Sequence, residues 1–445
     1  MLSFRLLAAA LGLAALVTAD APVTPSFPYG STKVRGVNLG GWLVLEPWIT
    51  PSLFDNTGNP KIVDEWTFGQ LQDKSVAQAT LQAHWDTWIR ESDFAAISAA
   101  GLNHVRLPIG FWAWDVSGGE PYIQGQLPYL RKAVNWARKY SIKIIIDLHG
   151  APGSQNGFDN SGHRVSEPHW QNDPKNVART NAVIRQIATE FGPQVDVVSM
   201  IQPLNEPAGY KSSQILTVAK QFYKDSYQSI RHPSGMNGVQ ASNMMYIHDA
   251  FQGPDYWAGM FSPPQYQGVA LDTHVYQVFS DAENARTNQQ HIDNACANGP
   301  TFAKFNQNQL WTIVGEWTPA MTDCAKYLNG RGKDARYDGT FAPPDEPVVG
   351  SCGGKTGDGS GFSASYKAFL RQMWEAQTYA FEQASGWIMW TWKAEQAADW
   401  SYQAGLAGGW IPQDPTQRAY PKICAGAGPG VLSRNTGYPP LREFG

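Results

Sequence analysis

The chain has 445 residues, enough to bury a sizeable core in one large domain or two. A formal charge of -4 and the lack of any basic run exclude nucleic acid as a partner, and with only 16% charged residues the surface relies on neutral polar groups. Many of the 18 Trp, 18 Tyr and 19 Phe stand in polar, Gly-rich context, where flat rings beside amides and carboxyls suit a ligand with apolar faces and hydroxyl edges, as sugar rings have.

Residues 1–19 read as a secretory signal peptide: Arg5, an apolar run over 6–17, and small residues before a cut after Ala19. The run is too short to span a bilayer and no other stretch is long enough. The mature protein is therefore expected outside the cell or in a cell wall, as a monomer without a membrane partner. After an arm at 20–33, apolar segments at 34–39, 104–109, 143–148, 197–204, 244–248, 269–273, 311–314 and 386–390 read as strands. Helical patterns at 94–100, 128–140, 176–191, 213–232 and 363–383 lie between most of them. The weakest interval, 251–267, is rich in Pro, Gly and aromatics. Eight strands alternating with helices predict the α/β class and a closed (β/α)8 TIM barrel over 34–424. An open doubly wound sheet is the rival, but no glycine-rich dinucleotide fingerprint follows the first strand. Such a barrel needs about 250 residues, which leaves long strand-to-helix insertions at 50–85, 150–169, 281–306 and 318–361 to line the active face. A tail at 425–445 is expected to be draped or disordered. Cys296, Cys324, Cys352 and Cys424 fit no zinc spacing, and in an exported chain they predict two disulfides with three possible connectivities. No Asn-x-Ser/Thr sequon occurs, so N-glycosylation is not expected.

The chemistry collects where strands end. Glu206, in Asn205-Glu206-Pro207, closes one buried strand, and Glu316 closes another within Ile313-Val314-Gly315-Glu316-Trp317. An ionised side chain there is costly unless it faces a polar cleft. The other strand ends supply Glu46, Arg106, Asp147, His149, His274, Tyr276, Trp390 and Trp392. Two carboxylates facing one bond are what glycoside hydrolysis requires: one protonated to donate to the leaving oxygen, one ionised to attack. Asn205 is placed to bond a sugar 2-hydroxyl, Arg106 to hold Glu316 ionised, and His274 with Tyr276 to orient it. Phe158 and Phe279 sit in polar loops, poor placement for core residues; Trp387 reads as core and Trp392 as a platform. A metal set drawn from His149, His274 and Glu206 or Glu316 lacks any supporting local spacing, and no Gly-x-Ser-x-Gly elbow follows a strand. Neither a metal nor a cofactor is called for.

The runs VRGVNLGGWLVLEPWITPSLF, GLNHVRLPIGFWAW, IIIDLHGAPGSQNGFDNSG, LNEP, DTHVYQVF, IVGEWTPAMTDCAKYLNG and SGWIMWTWK, spread over 34–424, resemble the fungal exo-β-1,3-glucanases of glycoside hydrolase family 5. The resemblance implies a retaining double displacement on β-glucan, with Glu206 as acid/base and Glu316 as nucleophile. It implies that Glu46, Arg106, His149, Asn205, His274, Tyr276 and Trp392 line the subsite for the terminal glucose. Phe158 and Phe279 would clamp the sugar at the next subsite, and Asp159 and Asn160 would contact sugar hydroxyls. Cys296 would pair with Cys424, and Cys324 with Cys352. Alternatives are an endo-acting or broader β-glucanase or transglycosylase on the same scaffold, and a non-catalytic glucan-binding wall protein.

Overall fold

A computed structural model describes residues 22–236, 238–345 and 347–425, so the stretch read as a signal peptide and nearly all of the tail lie outside the described residues. Eight strands pair in chain order, all parallel: β1 (Val34–Asn38), β2 (His104–Gly110), β3 (Lys143–Gly150), β4 (Val198–Gln202), β5 (Met244–His248), β6 (Val269–Val275), β7 (Trp311–Trp317) and β8 (Gly386–Met389). Val34 of β1 pairs with Gly386 of β8, which closes the barrel and excludes the open sheet. These strands are buried along almost their whole length, as parallel strands covered by helices must be.

Helices Glu91–Ala99, Leu127–Lys139, Pro174–Phe191, Ser213–Arg231, Asn288–Asn308 and Ala364–Phe381 wrap the barrel. Asp173, Ser212, Thr287 and Ser363 cap four of them by accepting first-turn N–H groups. Between β5 and β6 stands only the short turn Pro254–Trp257, in keeping with the weak periodicity there. One reading needs correction: 281–306 is not chiefly an inserted loop, because most of it is the 21-residue helix Asn288–Asn308. Its buried stripe through Ile292, Cys296, Phe302 and Phe305 is broken in the sequence by Asn298-Gly299-Pro300, and that hid the helical period. The stretch 50–85 likewise carries the helices Glu65–Gln70 and Lys74–Thr87.

Both disulfides form as the resemblance implied. Cys296–Cys424 ties that long helix to a residue 128 positions on, and Cys324–Cys352 closes the loop after β7. No helix among the described residues is long and apolar enough to cross a membrane.

The barrel fills in layers from the bottom. Tyr29 of the N-terminal arm closes the lower end, its hydroxyl 2.8 Å from His104 Nε2. Above lies an apolar layer of Val34, Ile145, Met200, Met244, Ala270, Ile313 and Ile388. Further along the strands the interior turns polar, two residues on at Asp147, Gln202 and Asp272 and four on at Asn38, with Arg106 among them, all fully buried. On β7 strict alternation would send Glu316 away from the interior, since Ile313 faces in. A register shift against β6, where Thr273 pairs with Val314 but His274 with Glu316, turns it inward. Gly315 permits this, because a Cβ there would stand 2.2 Å from Asp272 Oδ1 and 2.7 Å from the Tyr246 hydroxyl. Gly315→Ala is therefore expected to cost about 1–3 kcal/mol by overpacking. Chemical denaturation reads this, and an unchanged midpoint would show that the strand accommodates the methyl.

Candidate active site

Arg106 organises the polar layer. Its Nε donates to Gln202 Oε1 at 2.7 Å, Nη1 to Asn38 Oδ1 at 2.9 Å and Glu316 Oε1 at 2.8 Å, and Nη2 to Asn205 Oδ1 at 2.7 Å. Asp147 Oδ2 lies 3.1 Å from Nη2. Burial opposes the guanidinium charge, but Asp147, Glu316 and Asp272 outweigh it and hold its pKa above the ordinary value. A fork engaged on every side cannot rotate, so it fixes the carboxylate it touches.

Glu206 follows β4 after Pro203-Leu204, and Asn205 N donates to Leu148 O at 2.9 Å. Glu206 has φ of 44°, a left-handed backbone that costs free energy outside glycine and that the surrounding bonds must enforce. Its Oε1 accepts from His274 Nδ1 at 2.7 Å, and its Oε2 lies 3.4 Å from Asn160 Nδ2. The same Nδ1 stands 3.4 Å from Glu316 Oε2, which accepts from the Tyr276 hydroxyl at 2.8 Å. Because Nδ1 stands 2.7 Å from one carboxylate oxygen and 3.4 Å from the other, those two oxygens lie no more than about 6 Å apart, short of the 6.5–9.5 Å of an inverting pair and compatible with the 5–5.5 Å of a retaining one.

Charge on the floor is balanced by two cations. Burial alone would strip the proton from His274, but Glu316 and Asp272 reverse that and raise its pKa well above the imidazole value. Its Nε2 donates to Asp272 Oδ2 at 3.0 Å. Burial likewise lifts the Asp272 carboxyl, yet His274 and Arg106 pull it below the usual carboxylate range. Burial raises Glu316, with Glu206 adding to the effect and His274 and Arg106 opposing it. Glu46, whose Oε2 accepts from Trp48 Nε1 at 3.0 Å, is pushed well above its ordinary value by burial and by Asp159 and Glu316.

A cavity of about 350 Å³ opens over this floor. Of the residues singled out in the sequence, Glu46, Phe158, Asp159, Asn160, Glu206, Tyr276, Phe279 and Glu316 line it. Arg106, His149, Asn205 and His274 lie beneath its surface and act on those above. His149 Nδ1 donates to Asp147 Oδ2 at 2.6 Å, and its Nε2 faces Asn205 Nδ2 at 3.4 Å.

Trp392 is the exception. It is buried away from the cavity, with Nε1 donating to Asp93 Oδ1 at 2.8 Å and its ring stacked on Tyr402. The strand ends at Met389, after which Trp392 N donates to Asn38 O and the chain turns over β1, so alternation no longer predicts direction. The indole that lines the cavity is Trp390, in phase with inward-facing Ile388 and stacked on His149 at 5.5 Å. Period-two counting from Ile388 would have found it. Trp48 and Trp400 also line the wall; Trp400 comes from a single turn at Ala398–Trp400 that carries no sequence signal.

The residues that could hold a cation differ from those the sequence suggested. Glu206, His248 and His274 offer atoms within 4.8 Å of one another. Both His274 nitrogens are bonded to carboxylates, and His248 Nδ1 accepts the Ala250 N–H at 3.0 Å, which puts the remaining proton on Nε2. An imidazole lone pair offered to a metal would have to be taken from an existing hydrogen bond, which leaves only the Glu206 carboxylate with spare acceptor capacity. The donor set fits proton chemistry.

Comparison with known proteins agrees with the geometry. Residues 70–331, which include both glutamates, match the family described as Cellulase (glycosyl hydrolase family 5). The chain is similar to a glucan 1,3-beta-glucosidase of Blumeria graminis, 46% identical over 425 residues and covering 94% of this chain and 96% of that one. It is also similar to a probable glucan 1,3-beta-glucosidase A of Aspergillus niger, at 45% with 90% and 92% covered, and to glucan 1,3-beta-glucosidase 2 of Wickerhamomyces anomalus, at 44% with 89% and 91% covered. The crystal structure of rutinosidase from Aspergillus niger superposes with a TM-score of 0.65 at 18% identity, over 86% of this chain and 99% of that one, a likeness of fold alone. The chain belongs to glycosyl hydrolase family 5.

Proposed function

We propose that this protein is a secreted, monomeric retaining β-1,3-glucosidase that removes glucose from the non-reducing ends of β-1,3-glucan. One observation carries the reading: two buried carboxylates from different strands share one imidazolium at the floor of a single cavity. The names of its relatives support the β-1,3 linkage, and two disulfides support export.

In this reading Glu316, oriented by Arg106 and Tyr276, attacks the anomeric carbon while Glu206 protonates the glycosidic oxygen. Oε1 of Glu206 is held by His274, which leaves Oε2, beside Asn160, as the oxygen that hands over the proton. The glucosyl-enzyme is then hydrolysed by a water that Glu206, now the base, deprotonates. Phe158 and Phe279 line the path of the departing chain, and Trp390 forms the platform first assigned to Trp392.

Azide rescue tests the two roles. With an activated aryl β-glucoside, Glu316→Ala plus azide should give the α-glucosyl azide, and Glu206→Ala plus azide the β-anomer. The reverse pairing would overturn the assignment. On laminarin, glucose as the sole early product supports exo action, whereas a ladder of oligomers would point to the endo alternative.

The two tryptophans make a separate check. Trp390→Ala is expected to raise KM about tenfold or more through loss of its stacking face. Trp392→Phe should leave KM unchanged and lower the melting temperature, since it removes only the bond to Asp93. Equal effects on KM would return Trp392 to the substrate wall.

A further inference from the structure

Three of the long loops at the mouth are tied to one another through a single side chain. Arg331 stands in the loop after β7, and its Nη1 reaches into the loop after β1, donating to Asn59 O at 2.9 Å and to Ile62 O at 2.6 Å. Its backbone carbonyl accepts from Arg164 Nη1, in the loop after β3, at 3.0 Å. The circuit closes where Arg164 N donates at 2.6 Å to Oδ2 of Asp64, in the loop after β1. Asp64 is itself fixed, because its Oδ1 caps the helix Glu65–Gln70 by accepting Thr67 N at 2.7 Å. Gly330 makes room for the junction, since a Cβ there would stand 2.9 Å from Arg164 Nη1. In barrel order β8, β1 and β2 lie between β7 and β3, so the two outer loops meet across the tops of three strands. Arg164, Leu328, Asn329 and Gly330 line the cavity on this side. Arg331 does not line it; its side chain is turned into the loops and is only 9% exposed.

The other tie between the loops after β1 and β7 lies outside. Asp55 accepts from Lys326 Nζ at 2.6 Å and from the Tyr327 hydroxyl at 2.8 Å, and lies 3.5 Å from Arg331 Nη2. Solvent screens that exposed cluster, whereas the bond to Ile62 O is buried. The foot of the β7 loop is held separately, by Cys324–Cys352 and by Asp323, which accepts the Arg336 and Tyr337 backbone N–H groups and the Asn329 amide. Loss of the Arg331 fork therefore frees the tip of the wall and spares the rest of the loop.

We propose that Arg331 is a positioning residue that confines the site to chain ends: it clasps three loops into one wall, and that wall denies an internal stretch of glucan a path across the cavity. The inference rests on the glucosidase reading. To cut inside a chain, a site must let the polymer run out in both directions from the bond that breaks. A wall joined across the tops of three strands closes one of those directions, so only a free end can be seated between Glu206 and Glu316.

The test uses laminarin whose ends are blocked by periodate oxidation and borohydride reduction. An internal 3-linked glucose has no vicinal diol and is left whole, whereas the terminal residues are opened. Wild type should hydrolyse native laminarin and leave the blocked polymer intact. Arg331→Met should release oligosaccharides from the blocked polymer at about tenfold or more above the wild-type background, while kcat/KM on an aryl β-glucoside stays within about twofold of wild type. Arg164→Gln, which removes the bond to Arg331 O from the other side, should act in the same direction and stands in if the Met variant does not fold. Folded variants that leave the blocked polymer untouched would overturn the clasp and leave the glucosidase reading intact. Wild type that itself cuts the blocked polymer would overturn the end-only wall and exo action together. If wild type turns over no glucoside at all, the glucosidase reading fails, and affinity electrophoresis through gels holding the blocked polymer still decides the clasp: retardation of the variant alone upholds it, and equal mobility ends it.

Discussion

Glu316→Gln is expected to lower kcat by about 10⁴-fold or more, with KM nearly unchanged, because it removes the nucleophile and spares the cavity walls. The fold should survive. Glu316 Oε1 accepts from Arg106 and Oε2 from Tyr276. A glutamine keeps the first contact through its carbonyl oxygen, and the Tyr276 hydroxyl, which can reverse, accepts from its amide. Glu206→Gln should behave differently. Its loss must depend on the leaving group, severe for glucan and mild in the first step for an aryl glucoside whose departing phenolate needs no proton. Pre-steady-state kinetics on the two substrate types measures this, and the melting temperature of each variant checks the fold. Turnover of Glu316→Gln within about tenfold of wild type would remove it from the mechanism.

Arg106→Met should destabilise the protein by about 3–5 kcal/mol, because it leaves Asp147 and Glu316 buried without their shared partner. The activity of whatever folds should also shift with pH. Arg106 opposes the rise of the Glu316 pKa, so its removal lets that pKa climb further, and the nucleophile becomes ionised only at higher pH. The acid limb of kcat/KM therefore moves to higher pH. Arg106→Lys restores the charge but not the fork to Gln202, Asn38 and Asn205, so it should recover the position of the limb better than the stability. Urea unfolding and a pH–rate profile on both variants supply the readings. A Met variant as stable as wild type, with an unmoved limb, would show that Arg106 is not the centre of the layer.

Much of this protein was legible along the chain, for reasons that are local. Short apolar runs ending in polar residues marked all eight strands, since parallel strands are buried on both faces and change character only where they reach the mouth. The same rule exposed Glu206 and Glu316, because a carboxylate at the end of such a run has no apolar alternative to a cleft. Where the local signal was broken the reading failed, as at Asn298-Gly299-Pro300 inside the helix Asn288–Asn308. It failed again past Met389, where the strand ends, the chain turns over β1, and Trp392, read as the platform, is buried away from the cavity that Trp390 lines.

By itself, then, the sequence determined the number of strands, their order and the two carboxylates at the open end, because these follow from periodicity and from the cost of burying charge. The tertiary structure alone decided how those groups meet. It turned Glu316 inward by a register shift against β6, shared one nitrogen of His274 between two carboxylates, and brought Arg164 to Arg331 across two loops. Such contacts join residues far apart in the chain, and they depend on barrel closure and strand stagger, which no local pattern encodes.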